Sequence, residues 1–385
     1  MPAALRREAA PFSVAPPRLS VAGAARVALV PWVLARLVVP AALAVARHLA
    51  TELSVTPRPV QLGQGLTGWD GAFYADIAIA GYEPLGRDGY RFFPLFPLLG
   101  RATAWLPGVD ERLALLVVAN AAALVAGCLL TLLVVRETGD VGLARRSVWL
   151  LLLAPPSAVL VMAYAESLFL ALSIGAVLAL RTQRFVLAAA LGGLAALTRP
   201  VGVLLAVPAL VEVVRGIARA SRVARAARVM AVLGPLVGLL AYAWWVRGRT
   251  GDWWFAFRVQ SDPALRGDTV SPVTSLADAA SALFDGDELG TGLHFVAALA
   301  GLALLVVAAR RLAVSYTAYA TVTIGVILTA SSLNSFERYL LVTFPLVIAA
   351  AMLVRRPATE RVVMILSTVA LFALSTLMFS GVHVP

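Results

Sequence analysis

Apolar segments at 24–49, 112–135, 147–164, 167–180, 185–198, 200–214, 229–246, 292–309, 312–331, 339–354 and 362–382 leave this chain few ways to fold. A helix needs roughly 20 mostly apolar residues to cross a bilayer. Lipid tolerates no unpaired backbone, so helices are the element to expect there. Only 14% of the 385 residues are charged, against about a quarter in soluble domains. The expected fold class is an all-α polytopic membrane protein with 11 spans. The segments over 167–214 are short and are expected to be tilted, broken or partly re-entrant.

Arginine placement gives the expected orientation. Arg136, Arg145 and Arg146 follow the second segment, and Arg181 and Arg184 the fourth. Arg215, Arg219, Arg222, Arg225 and Arg228 follow the sixth, Arg310 and Arg311 the eighth, and Arg355, Arg356 and Arg361 the tenth. Every second loop is thus arginine-rich and is expected to be cytoplasmic. Residues 1–23 read as a cytoplasmic tail and 24–385 as one transmembrane domain, with external loops 50–111 and 247–291. The net charge of +11 sits in short loops and forms no basic face clear of lipid, which argues against a nucleic-acid partner. The run from Arg215 to Arg228 reads as a positive-inside anchor, with a lipid-headgroup or nucleic-acid site as the alternative. Cys128 is the single cysteine, and His48, His294 and His383 have no ligand spacing, so neither a disulfide framework nor a metal is expected. No glycine pattern of a nucleotide loop appears, and no cofactor is expected.

The unusual chemistry lies in the loops expected to face outward. They carry Asp70, Asp76, Glu83, Asp88, Asp252, Asp262, Asp268, Asp285, Asp287 and Glu288. In Trp69-Asp70 an acid stands between aromatic residues at a membrane face, where charge is costly and marks a functional candidate. A helix from Asp70 through Phe73, Tyr74 and Ile77 to Gly81 would hold the carboxylate at the outer surface. Asp76 falls off its face and is a secondary, supporting acid. In Arg91-Phe92-Phe93-Pro94-Leu95-Phe96-Pro97 the prolines are expected to prevent a regular helix, with Phe93 and Phe96 docking into the outer leaflet. Arg91 reads either as a phosphate partner or as a snorkelling residue. Glu166, between two apolar segments, needs a partner or a role. Arg199, before Pro200 and Gly202, is a bidentate cation that suits phosphate or carboxylate, or pairs with Glu166. Arg338, in Ser335-Phe336-Glu337-Arg338-Tyr339, reads as a ligand for a leaving phosphate, or as half of a capping pair with Glu337.

Taken in order, Trp69-Asp70, Ile77-Ala78 with Gly81-Tyr82, Phe92-Phe93-Pro94-Leu95-Phe96-Pro97, Tyr164-Ala165-Glu166-Ser167-Leu168-Phe169, Thr198-Arg199 with Gly202, and Ser335-Phe336-Glu337-Arg338-Tyr339 with Phe344-Pro345 resemble the PIG-V-like mannosyltransferases. The match covers residues 66–350. That family includes the enzyme adding the second mannose of the glycosylphosphatidylinositol anchor, along with bacterial members. The lysine-free, Ala-, Leu-, Val- and Arg-rich composition suits a bacterial, GC-rich source. The resemblance implies a GT-C glycosyltransferase fold in the plasma membrane and an active site on the extracytoplasmic face. It implies a polyprenyl-phosphate-mannose donor, a lipid or cell-envelope glycan acceptor, and Asp70 as base of an inverting transfer. Trp69, Tyr74, Arg91, Phe93, Arg199 and Arg338 would bind the donor. The family's Asn after the fourth motif is replaced here by Pro200-Val201-Gly202, and 247–291 matches no motif. Two other functions fit the same spans: a transporter or flippase of lipid-linked glycans, which would place charges near the bilayer midplane, and a non-catalytic envelope-assembly subunit, for which Asp70 would be dispensable.

Overall fold

The computed structural model describes residues 19–382 apart from 219, 264 and 286–288; for 282–285 and 289–293 it describes the backbone alone. Most of the expected tail, together with Arg219, Asp287, Glu288 and His383, therefore lies outside the described residues. Among the described residues the chain is helical throughout and forms no β-strand; Thr269 and Ala330 make one isolated antiparallel bridge.

Among the described residues, five helices are long and apolar enough to cross a membrane: Val21–Glu52, Glu111–Thr138, Arg222–Thr250, His294–Arg311 and Pro357–Phe379. A sixth candidate is the pair Phe336–Val342 and Phe344–Leu353, bent by 84°. The other apolar segments are shorter helices or are broken. The segment expected at 147–164 ends as a helix at Leu153 and continues as a 3-10 turn over Pro155–Leu160. That expected at 200–214 begins as a 3-10 turn, Pro200–Leu205, before the helix Ala206–Gly216. In each case proline at the break removes a donor and fixes φ.

The packing follows membrane rules. On Val21–Glu52 the buried stripe is Ala24, Ala28, Pro31, Ala35, Val39, Ala42, Leu43, Ala46 and Ala50. Leu29, Val30, Val33, Leu37 and Leu49 on the same helix are exposed. In water that arrangement would be inverted; in lipid, small residues inside let helices approach. The helices Phe185–Thr198 and Arg222–Thr250 do this most closely. A Cβ on Gly234 would collide with the Ala189 carbonyl, and one on Gly238 with the Gly193 carbonyl.

Polar contacts sort by end. Arg181 bonds Glu137 at 2.8 and 2.9 Å and Glu212 at 3.0 Å, while Arg145 bonds Glu360 at 2.6 Å. Loops expected on the arginine-rich side therefore meet one another. Arg36, midway along the first helix, donates to Asn120 Oδ1 at 2.6 Å and to the Leu160 carbonyl at 2.8 Å. Asn120 in turn donates to the Val161 carbonyl at 2.9 Å. These bonds fix the segment that delivers Tyr164 and Glu166 to the opposite end.

Gly238→Val is expected to lower thermal stability in detergent by an overpacking cost of about 1–3 kcal/mol. Gly248→Ala, on the same helix with open space around it, should leave stability unchanged or slightly raised. Equal behaviour of the two variants in a melting experiment would contradict the close-packing account.

Candidate functional site

Asp70 opens the helix Asp70–Ala80. An acid in the first turn suits the positive end of the helix dipole. At the other end Gly81 takes φ 85°, and Arg101 donates to the carbonyls of Ala78 at 2.7 Å and Ile79 at 3.3 Å. Buried Tyr74, Ala75, Ile77 and Ala78 seat the helix against Phe92, Phe96 and Leu115. Its start is clipped to the 160–166 segment. The Ala163 N–H donates to the Leu66 carbonyl at 3.0 Å, and the Asp70 N–H to the Tyr164 hydroxyl at 3.3 Å. Trp69, just before it, holds φ 56° and donates its indole N–H to the Met378 carbonyl at 3.3 Å.

Arg338 comes from the far end of the sequence. Ser335, at φ 63°, starts the helix Phe336–Val342, and fully buried Phe336 anchors it. Glu337 turns to His294, at 2.7 Å. The surface capping pair of Glu337 with Arg338 is therefore not formed. Arg338 points the other way. Its Nη1 donates to Asp70 Oδ2 at 2.7 Å, and its Nε lies 3.1 Å from Glu166 Oε1. Arg199 bonds the same Glu166 oxygen. The result is a chain Asp70–Arg338–Glu166–Arg199, assembled from four segments that the sequence separates by up to 268 positions.

Asp70, Arg199 and Arg338 border a cavity of about 490 Å³, with Glu166 fully buried behind them. Trp69, Tyr74, Arg91 and Phe93 also line it. Arg91 lies over the rings of Phe73 and Phe92, 5.0 and 4.6 Å from their centroids, and its buried Nε has no hydrogen-bond partner. Arg266 is a residue the sequence reading missed. It faces the cavity with its guanidinium 4.2 Å over the Tyr339 ring. Its carbonyl accepts from the Ser332 N–H at 3.1 Å, and Val270 donates to the Thr329 carbonyl at 2.8 Å. The 266–270 segment, within the loop that matched no motif, is thereby pinned beside the Arg338 helix. Its one sequence cue is an arginine-glycine step: Gly267 takes φ 66°.

Other expectations are corrected. Phe93 and Phe96 are 2% and 0% exposed, so they do not dock into the leaflet. Phe93 packs on Tyr242 with centroids 4.4 Å apart, and Phe96 on Tyr74 at 5.0 Å. Pro94 and Pro97 do not prevent a helix either. Leu95–Thr103 begins right after Pro94, and Pro97 falls within its first turn, where a missing N–H costs nothing. Asp76 is half-buried, forms no ion pair among the described residues and does not line the cavity.

Four guanidiniums (Arg91, Arg199, Arg266, Arg338) meet two carboxylates (Asp70, Glu166), leaving two positive charges in excess. Burial alone would raise the Asp70 carboxyl. The charges of Arg338, Arg91 and Arg199, with the Arg338 hydrogen bond, outweigh it and hold the group below its ordinary value. Burial presses the Arg266 guanidinium down, and the neighbouring Arg338 and Arg199 charges act in the same direction. Asp70 Oδ1 has no hydrogen-bond partner among the described residues, and Asp70 lines the cavity. Trp69 and Ser335, both lining it, are two of the four described non-glycine residues with positive φ. Such backbone strain concentrates at functional sites.

No protein-family model, curated protein or solved structure matches this chain.

Glu166→Gln removes the anion that Arg199 and Arg338 share inside the protein. It should destabilise the fold by about 3–5 kcal/mol. Asp70→Asn, at a side chain that keeps 28% of its surface against 0% for Glu166, should cost much less. Thermal melting of both variants in one detergent checks the order, and an equal or smaller loss for Glu166→Gln contradicts it.

Proposed function

We propose that this chain is a membrane glycosyltransferase. It transfers mannose from a polyprenyl-phosphate-mannose donor to a lipid or cell-envelope glycan acceptor, on the outer face of the plasma membrane and with inversion. The observation that carries the reading is an ionised carboxylate with one free oxygen, set in a cavity that holds two positive charges in excess. The ordered motif resemblance supports the same reading, and with it a GT-C arrangement of about 11 spans.

The chemistry follows from the charges. The donor is a phosphodiester with one negative charge, and the released polyprenyl phosphate approaches two. Arg338, Arg199, Arg266 and Arg91 stabilise that increase as the glycosyl bond breaks, in a cavity walled by Leu204, Leu239 and Phe257 where charge interactions are strong. The acceptor hydroxyl attacks the anomeric carbon from the face opposite the phosphate. Its proton passes to Asp70 Oδ1, and the phosphate leaves with the bonding pair. Arg338 couples the two events. Held on Asp70 Oδ2, it makes the carboxylate a weak base; drawn to the donor phosphate, it releases that carboxylate to accept a proton. The acids of this site lie at helix ends, whereas transport would place them near the midplane.

Asp70→Asn keeps the shape and removes the basic oxygen. A general base is typically worth roughly 10²–10⁴-fold in rate, and mannose transfer from labelled donor should fall by that order while donor binding persists. Arg338→Lys keeps the charge but loses the fork and should lose much activity; Arg338→Ala should lose more. Asp76→Asn should stay near wild type. An Asp70→Asn protein that transfers at wild-type rate ends the assignment.

A further inference from the structure

A second and larger concavity lies away from the acids. It is a groove of about 1080 Å³ between the helices Glu111–Thr138, Glu166–Arg181 and Phe185–Thr198. Val125, Leu129 and Leu132 form one wall and Leu172, Gly175 and Leu178 the other. A Cβ on Gly175 would stand 3.3 Å from Leu191 and 3.6 Å from Leu129, so glycine there keeps the floor open. Along one helix the lining runs from Leu168 to Thr182, about 21 Å at the α-helical rise. One hydrocarbon leaflet is about 15 Å thick, so the trough is long enough for the acyl chains of a lipid from one leaflet.

The groove is not apolar throughout. At the end remote from Glu166 it is bordered by Arg136, Thr182 and Arg184. The adjacent Arg181 is neutralised by Glu137 and Glu212, which uses up the nearby acids. Arg136 donates to the Arg181 carbonyl at 3.0 Å and forms no ion pair among the described residues. Arg184 is exposed and has no side-chain partner among the described residues. A long apolar trough therefore ends at two uncompensated cations. A purely apolar occupant would leave both charges unmet. The first 18 residues, which precede Leu19 at the groove mouth, carry Arg6, Arg7 and Arg18 against Glu8 and so have the wrong sign.

We propose that this groove binds an anionic phospholipid, with its phosphate between Arg136 and Arg184 and an acyl chain along Leu129, Leu132, Leu172 and Leu178. Basic pockets between transmembrane helices on the cytoplasmic side are suited to such headgroups, and the arginine-rich end is the side expected there. The site lies at the opposite end of Glu166–Arg181 from the cavity described above and does not depend on what that cavity does.

Native mass spectrometry of the full chain in detergent, titrated with phosphatidylglycerol and with phosphatidylcholine of the same acyl chains, tests it. Each arginine at such a surface is worth enough that the anionic lipid should bind roughly tenfold tighter or more. The double variant Arg136→Gln/Arg184→Gln, altered only at exposed positions, should melt like wild type and bind both lipids alike. Arg136→Lys/Arg184→Lys should keep the preference. Equal retention of the two lipids by wild type, or an undiminished preference in the double glutamine variant, would overturn the proposal. A tenfold gain in phosphatidylglycerol binding on deleting residues 1–18 would make that segment the occupant and overturn it as well.

Discussion

Glu166 is an anion with no exposed surface, and the site is organised around it. A buried carboxylate costs several kcal/mol of lost hydration and survives only with close partners of opposite charge. Arg199 and Arg338 are those partners, and both use the same oxygen. The shared acid fixes the two guanidiniums relative to each other. It also sets the direction of Arg338, whose other nitrogen reaches Asp70 at 2.7 Å. An apolar residue at 166 would leave Arg199 without its carboxylate and Arg338 held by Asp70 alone. The second Glu166 oxygen is buried without a partner, and so is the Arg199 Nε.

The helix bundle exists to hold these loops in register. Alanine and glycine on the inner stripes bring the helices together, while the larger aliphatic residues face outward. The cost of that packing is a backbone with little room, as the positions of Gly234 and Gly238 against Ala189 and Gly193 show. In return the ends of non-adjacent helices lie close enough for side chains to meet. The breaks matter as much as the helices. The 3-10 turns over Pro155–Leu160 and Pro200–Leu205 and the 84° bend at Thr343 all lie beside residues of the site. Glu166, Arg199 and Arg338, which flank these breaks, meet in one chain of ion pairs.

How far the sequence could be read depended on what a charge costs. Asp70, Glu166, Arg199 and Arg338 stood out because they border apolar segments or stand among aromatic residues at a membrane face, where an ionised group needs a purpose. Arg266 did not, because it sits in the polar 247–291 loop, where a charge is unremarked; only the pairing of 266–270 with 329–332 brings it to the cavity. The phenylalanines went the other way. Phe93 and Phe96 looked lipid-directed because aromatic residues favour interfaces, yet Tyr242 and Tyr74 had claimed them. The long helices follow from their apolar runs. The bend between Phe336–Val342 and Phe344–Leu353 does not, since Phe344-Pro345 reads equally well as the start of a helix or as part of a motif.

The central claim is that four arginines and two acids form a site for the phosphate of a polyprenyl lipid. Its most direct test is equilibrium binding of a polyprenyl phosphate and of the corresponding polyprenol to the purified protein. Hydrogen bonds to charged groups contribute about 1.5–3 kcal/mol each, so two such bonds predict at least roughly 100-fold tighter binding of the phosphate. Arg266→Gln should remove about tenfold of that preference and leave polyprenol binding unchanged. Equal affinity for phosphate and alcohol in the wild-type protein would contradict the account.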